Sequence, residues 1–213
     1  MTTNDVSTAV LGRRVIPVVV IRELETALPL ADALERGGLP VAEVTFRTAA
    51  AAEAIRRIAG ETTVLVGAGT VVRPDQVDLA VEAGARFIVT PGFSTEVVER
   101  CNEQNILVIP GVATATEVIA ALDHGLDLLK FFPAEAAGGI RLLRALQGPF
   151  PDVRWVPTGG VNAANAASYL ELPSVAAVGG SWMVAPELLA ARDFAAVTDL
   201  TRGAVVLGAE VGV

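Results

Sequence analysis

Lys130 is the only lysine in a chain whose other fifteen basic residues are all arginine. It stands late in the apolar run Leu126-Asp127-Leu128-Leu129-Lys130-Phe131-Phe132-Pro133. Elsewhere the chain writes every cation as arginine, so an amine here suggests a task that a guanidinium cannot perform. Desolvation lowers the pKa of an amine, and the neutral amine is a nucleophile that forms Schiff bases with carbonyl carbon. In open water only about one lysine in 2,500 is neutral at pH 7. A burial shift of about 3–5 units removes most of that handicap. Taken alone, the residue better fits a strand-end lysine whose stem packs on apolar surface while its head reaches solvent, and it is the rest of the chain that reverses this.

Glu43 is the second residue with chemical promise, because it interrupts the apolar run Val41-Ala42-Glu43-Val44-Thr45-Phe46. A buried, unpaired carboxylate is costly. It therefore suits either an ion pair, with Arg47 as the near partner, or a general acid/base close to the amine. Strand alternation puts Glu43, Thr45 and Arg47 on one side, where the planar fork of Arg47 could grip a carboxylate. Thr70 and Thr158 offer hydroxyls, although threonines after strands also cap helices. The turns at 158–160 (Thr-Gly-Gly) and 179–181 (Gly-Gly-Ser) let backbone N–H groups approach phosphate oxygens. The alternative reading is two tight turns at helix starts.

Such residues need a frame. Near-continuous apolar runs at 15–21, 41–46, 64–67, 87–90, 106–109, 127–130, 153–157 and 175–179 predict parallel strands covered on both faces. Amphipathic stretches at 23–36, 49–59, 74–83, 95–102, 115–122, 139–146, 163–169 and beyond 186 predict helices between them. Glycines at Gly37, Gly84 and Gly125 suit helix ends. About eight strand–helix units of roughly 25 residues predict an α/β, single-domain (β/α)8 TIM barrel over residues 1–213. A doubly wound open sheet shares the alternation. In a barrel the strand C-termini and the residues just after them share one face, and polar and glycine-rich signals fall there repeatedly.

Composition narrows the function. The 213 residues carry a net charge of −8 and no basic cluster, which argues against nucleic-acid binding. Mean hydropathy is +0.53, yet no apolar stretch reaches membrane length without charge or turn residues. The excess apolarity suits a large core and buried subunit faces. Residues 1–12 lack the pattern of a signal peptide, and a cytoplasmic location is expected. Cys101, the single cysteine, excludes an internal disulfide and has no histidine nearby. His124, the single histidine, precedes Gly125 at a helix end and suits a cap more than a metal site. Trp155 reads as core, and Trp182 as a neighbour of the phosphate turn.

In order and spacing, five segments resemble the bacterial 2-keto-3-deoxy-6-phosphogluconate (KDPG) aldolase family, whose members often also act on 4-hydroxy-2-oxoglutarate (KHG). They are Glu43-Val44-Thr45-Phe46-Arg47-Thr48, Gly67-Ala68-Gly69-Thr70, Lys130-Phe131-Phe132-Pro133-Ala134-Glu135, Pro157-Thr158-Gly159-Gly160 and Gly179-Gly180-Ser181-Trp182. The resemblance implies a class I aldolase of the Entner–Doudoroff pathway, a (β/α)8 barrel, usually a homotrimer, with no cofactor and no metal. It implies Lys130 as the Schiff-base amine and Glu43 as the acid/base. Arg47, Thr70, Pro91, Phe132 and Thr158 would surround the pyruvyl group, and Gly159, Gly160, Gly180 and Ser181 the phosphate. Phe46 departs from the leucine common in the family, an apolar exchange. The two glycine turns look more like this branch than the 6-phosphogalactonate aldolases.

The expected reaction cleaves KDPG to pyruvate and glyceraldehyde 3-phosphate, and KHG to pyruvate and glyoxylate. Three readings compete with it. KHG could be the main substrate. A phosphosugar isomerase or epimerase would use Glu43 as base without a covalent adduct. A silent sensor of a phosphorylated acid would bind without turnover, and it gives no reason for a lysine at 130.

Overall fold

The structure, a computed structural model, describes residues 2–210; the outermost positions of the expected domain, Met1 and 211–213, lie outside them. Among the described residues nine strand segments alternate with helices. The strands are β1 (Val15–Val19), β2 (Val41–Thr45), β3 (Leu65–Gly69), β4 (Phe87–Val89), β5 (Leu107–Ile109), β6 (Gly111–Val112), β7 (Leu128–Phe131), β8 (Arg154–Pro157) and β9 (Val178–Gly180). All pairings between them are parallel, in a six-stranded sheet ordered β5-β4-β3-β2-β1-β9 and a three-stranded sheet ordered β6-β7-β8. Every residue of β1, β2, β4, β7 and β9 is buried. That is the physical meaning of apolar runs that do not alternate.

Two strands differ from expectation. The run expected to end at 109 continues as β6 beyond Pro110. Proline has no N–H to give a ladder, but its carbonyl still accepts from Lys130 N at 2.8 Å. The run expected at 175–179 pairs as β9 only from Val178. Val175 makes just an isolated bridge to Trp155, and its carbonyl accepts from the Arg14 guanidinium at 3.1 Å, as that of Leu170 does at 2.7 Å.

The helices follow local chemistry. α1 (Thr3–Leu11) was not expected, although Thr2 and Asp5 form a reciprocal capping box that marks its start. A 3-10 turn, Leu24–Thr26, leads into α2 (Ala27–Arg36). α3 (Ala51–Glu61) buries Ala51, Ala54, Ile55 and Ile58, one stripe at helical spacing. α4 (Pro74–Glu82) starts on proline, α5 (Thr95–Glu103) is capped by Ser94, and α6 (Ala115–Asp123) is capped by Thr114 with Glu117. Gly84 and Gly125 take the left-handed position after α4 and α6, at φ +93° and +73°. α7 (Ala134–Ala137) and α8 (Gly139–Gln147) follow β7, and α9 (Ala166–Leu170) follows β8. A 3-10 turn at Trp182–Val184, α10 (Pro186–Ala190) and α11 (Phe194–Glu210) close the order. Helices cover the sheets, and Trp155, Tyr169, Phe87 and Phe131 are the largest wholly buried side chains. Trp155 meets Phe131 edge-to-face, 6.4 Å between ring centres. No helix among the described residues is long and apolar enough to cross a membrane.

Candidate active site

β2 and β7 carry the two groups singled out first. Glu43 is registered against Val18 of β1 and Gly67 of β3, and Lys130 against Gly111 of β6 and Val156 of β8. The strands are not neighbours, yet Lys130 donates from Nζ to Glu43 Oε1 at 3.3 Å, with both side chains buried. Nζ also lies 5.0 Å from the centre of the Phe132 ring, a cation–π approach. Room for the carboxylate comes from the next strand. A Cβ at Gly69 would overlap Glu43 Oε1, so the glycine at the end of β3 is the space into which the carboxyl folds.

The ion pair weighed between Glu43 and Arg47 is not formed. β2 stops at Thr45, and Arg47 N donates back to the Thr45 carbonyl at 2.8 Å, so the chain turns before Arg47. Alternation along an ideal strand therefore gives no guide to its direction. Arg47 Nε instead approaches Thr70 Oγ1 at 3.5 Å. Thr70 itself has φ +58°, an unfavourable backbone for a β-branched residue and a form of strain that gathers at functional sites.

A cavity of about 270 Å³ opens above Lys130. Arg47 and Phe132 line one part of it, and Thr158, Gly159, Gly160, Gly180 and Ser181 another. Lys130 lines it, and Glu43, which does not, meets it through the contact with Lys130. Thr70 reaches it through Arg47, and Pro91 packs against Gly111 away from the lining. Gly159 and Gly160 have φ +97° and +81°, so the turn after β8 takes a shape that side chains resist. The Thr158 side chain occupies the volume beside Gly179, and the Trp182 ring that beside Gly180.

The sequence reading missed the apolar wall formed by Val18, Val20, Val161, Val184 and Pro186. Val18 and Val20 share a parity along β1 and its extension, a signal that pointed to one face. A crevice of about 280 Å³ lies at the opposite strand ends, beside Thr3, Leu107, Leu128 and Arg154. Its cation Arg154 is already paired with Asp127 at 2.9 Å, and no lysine lines it among the described residues.

The two demoted residues have ordinary roles. His124 Nδ1 lies 2.9 Å from the Ala120 carbonyl, and the ring meets Phe93 edge-on. Cys101 is wholly buried, and burial pushes its thiol up to about 12.

Comparison with known proteins adds a second line of argument. The family model for KDPG and KHG aldolase matches residues 6–200. The KHG/KDPG aldolase of Escherichia coli (strain K12) is 47% identical over 192 residues, 90% of each chain. The crystal structure of the 2-keto-3-deoxy-6-phosphogluconate aldolase of Zymomonas mobilis ZM4 with 3-phosphoglycerate superposes with a TM-score of 0.91 at 41% identity, covering 97% of both chains. The KDPG aldolase of Legionella pneumophila, with pyruvate captured as a covalent carbinolamine intermediate, gives 0.90 at 45% identity, covering 93% of this chain and 97% of that one.

Proposed function

The chain belongs to the KDPG and KHG aldolase family, and on that premise we propose how its own residues carry out the reaction. It is a class I aldolase, a pyruvate-dependent aldehyde-lyase, that cleaves KDPG to pyruvate and glyceraldehyde 3-phosphate. KHG, cleaved to pyruvate and glyoxylate, is its second substrate. The observation that carries this reading is the buried contact of the only lysine with Glu43 at the floor of a cavity whose other end is a glycine-rich cradle.

Lys130 in its neutral form attacks C2 of the ketoacid, and Glu43 supplies the proton that lets the carbinolamine lose water. The resulting iminium draws the electrons of the C3–C4 bond as Glu43 takes the proton of the C4 hydroxyl. The aldehyde leaves, and the electron pair stays behind as an enamine. Protonation at C3 and hydrolysis of the imine release pyruvate and restore the amine. The iminium is the electron sink, so no Lewis acid is needed at this step. Arg47, steadied by Thr70, grips the substrate carboxylate. Phe132 walls the pyruvyl end with Thr158, Pro91 backs it from behind the lining through Gly111, and Gly159, Gly160, Gly180 and Ser181 receive the phosphate through the backbone.

The frame we infer is one closed (β/α)8 barrel in a single domain. Three contacts support closure: the isolated parallel bridges Trp155–Val175 and Thr158–Gly179 between the β8 and β9 ends, and the continuity of β5 with β6 through Pro110. A homotrimer rests on family resemblance; light scattering tests it. Cytoplasmic placement rests on a phosphorylated substrate that does not cross membranes unaided.

The deciding experiment is borohydride reduction with pyruvate, followed by peptide mapping. A single pyruvyl adduct on Lys130 is expected. A folded protein that binds pyruvate yet traps nothing at Lys130 rules out covalent catalysis and returns the isomerase or sensor reading.

A further inference from the structure

Gly159 and Gly160 both have positive φ, and neither has a side chain to hold its shape, so whatever fixes this turn must lie behind it. Four hydrogen bonds to three successive carbonyls do lie behind it. The Gly159 carbonyl accepts from Glu135 N at 3.0 Å, and the preceding Thr158 carbonyl from Ala134 N at 2.8 Å. The Gly160 carbonyl accepts from the side-chain amides of Asn162 and Asn165 at 3.2 and 3.1 Å. Carbonyls bound in this way are kept off an anion in the cavity, where they would repel it.

Glu135 also packs against the turn directly. A Cβ at Gly160 would meet Glu135 Cβ and Cγ at 2.7 Å, so the glutamate stem fills that volume. Glu135 is an exposed residue on the four-residue α7, and its position needs an anchor. Tyr169 of α9, wholly buried, donates its hydroxyl to Glu135 Oε1. Burial and then the Glu135 carboxylate push the Tyr169 pKa upward, so the phenol stays a donor. The bond also draws a negative charge back from the cradle.

We propose that Tyr169 and Glu135 are positioning residues, a brace that holds the turn at 159–160 open to the substrate's phosphate; this rests on the phosphate reading of that turn given above. Neither residue lines the cavity, so the brace acts on phosphate affinity and not on the chemistry at Lys130.

The test compares KDPG with KHG, which lacks the phosphate, in wild type, Tyr169→Phe, Glu135→Ala and Glu135→Gln, each checked for a cooperative melt. Tyr169→Phe and Glu135→Ala should raise KM for KDPG about tenfold, the scale of one hydrogen bond to a charged group. They should leave kcat and all KHG kinetics within about twofold, below the size of a single typical hydrogen bond. Glu135→Gln, whose amide oxygen still accepts from Tyr169, should stay near wild type. Equal losses on both substrates, or none on either, overturn the brace. A wild-type enzyme with the same KM for both ketoacids overturns the phosphate reading itself, and the brace with it.

Discussion

Lys130 Nζ lies 3.3 Å from Glu43 Oε1, and the two side chains expose only 6% and 3% of their surface. Each charge is the other's compensation for leaving water, and removing either one strands its partner in the interior. The same contact places a proton donor and acceptor beside the nucleophile. A stabilising pair and a reacting pair are thus the same two groups, which makes them separable by choice of substitution.

Lys130→Arg keeps a cation against Glu43 but cannot form an imine. Turnover of KDPG should fall by about 10⁴-fold or more, the scale of losing a nucleophile, while far-UV circular dichroism stays unchanged. Activity above one hundredth of wild type would contradict the Schiff-base role.

Glu43→Gln removes the transferable proton and keeps the shape. We expect turnover to drop about 10²–10⁴-fold with pyruvate still trapped by borohydride. Glu43→Leu leaves Lys130 buried without a partner, and urea unfolding should report a loss of about 3–5 kcal/mol if its amine stays charged. Wild-type turnover in the glutamine variant would remove Glu43 from the mechanism.

Gly69→Ala tests the space beneath the carboxylate. The added methyl overlaps Glu43 Oε1 and Cγ, so the carboxyl must move from Lys130. A shift of about 1 Å at a reacting group costs about 10²-fold in rate, and overpacking costs about 1–3 kcal/mol. Steady-state kinetics and a thermal melt should show both; an unaltered kcat would mean that Glu43 has room to spare.

Glu117 gives a pH dependence of known sign. Burial raises its pKa, but the N–H groups of Ala113 and Thr114 and the Thr114 hydroxyl outweigh this and hold it below the usual value. A folded pKa below the unfolded one adds stability above the unfolded value, about 4.3, which is lost as pH falls through the folded value. Urea melts should therefore show wild type losing more stability than Glu117→Gln between pH 6 and pH 3. The cap is worth about 1 kcal/mol. Parallel pH profiles would show that the charge contributes nothing.

Cys101 should be silent in the native state, because burial pushes its thiol up to about 12. A chromogenic disulfide reagent at pH 8 should react only after denaturation. Rapid labelling of the native enzyme would show that α5 opens readily.

By itself the sequence determined the repeat and the chemical cast. Apolar runs at about 25-residue spacing specify parallel strands because burial on both faces erases alternation. A lone lysine among arginines is legible because only an amine can become a neutral nucleophile. The capping box of α1 was equally local and equally readable. Tertiary structure alone decided which residues meet. Glu43 and Lys130 are 87 positions apart on strands that do not pair, and strand alternation has no term for a contact across the sheets. The direction of Arg47 depends on where β2 ends, the continuation past Pro110 depends on a carbonyl that still pairs, and the meeting of Tyr169 with Glu135 depends on helices from two different units. Periodicity is a property of neighbours along the chain, whereas the floor of the cavity is built from side chains that become neighbours only when the strands assemble.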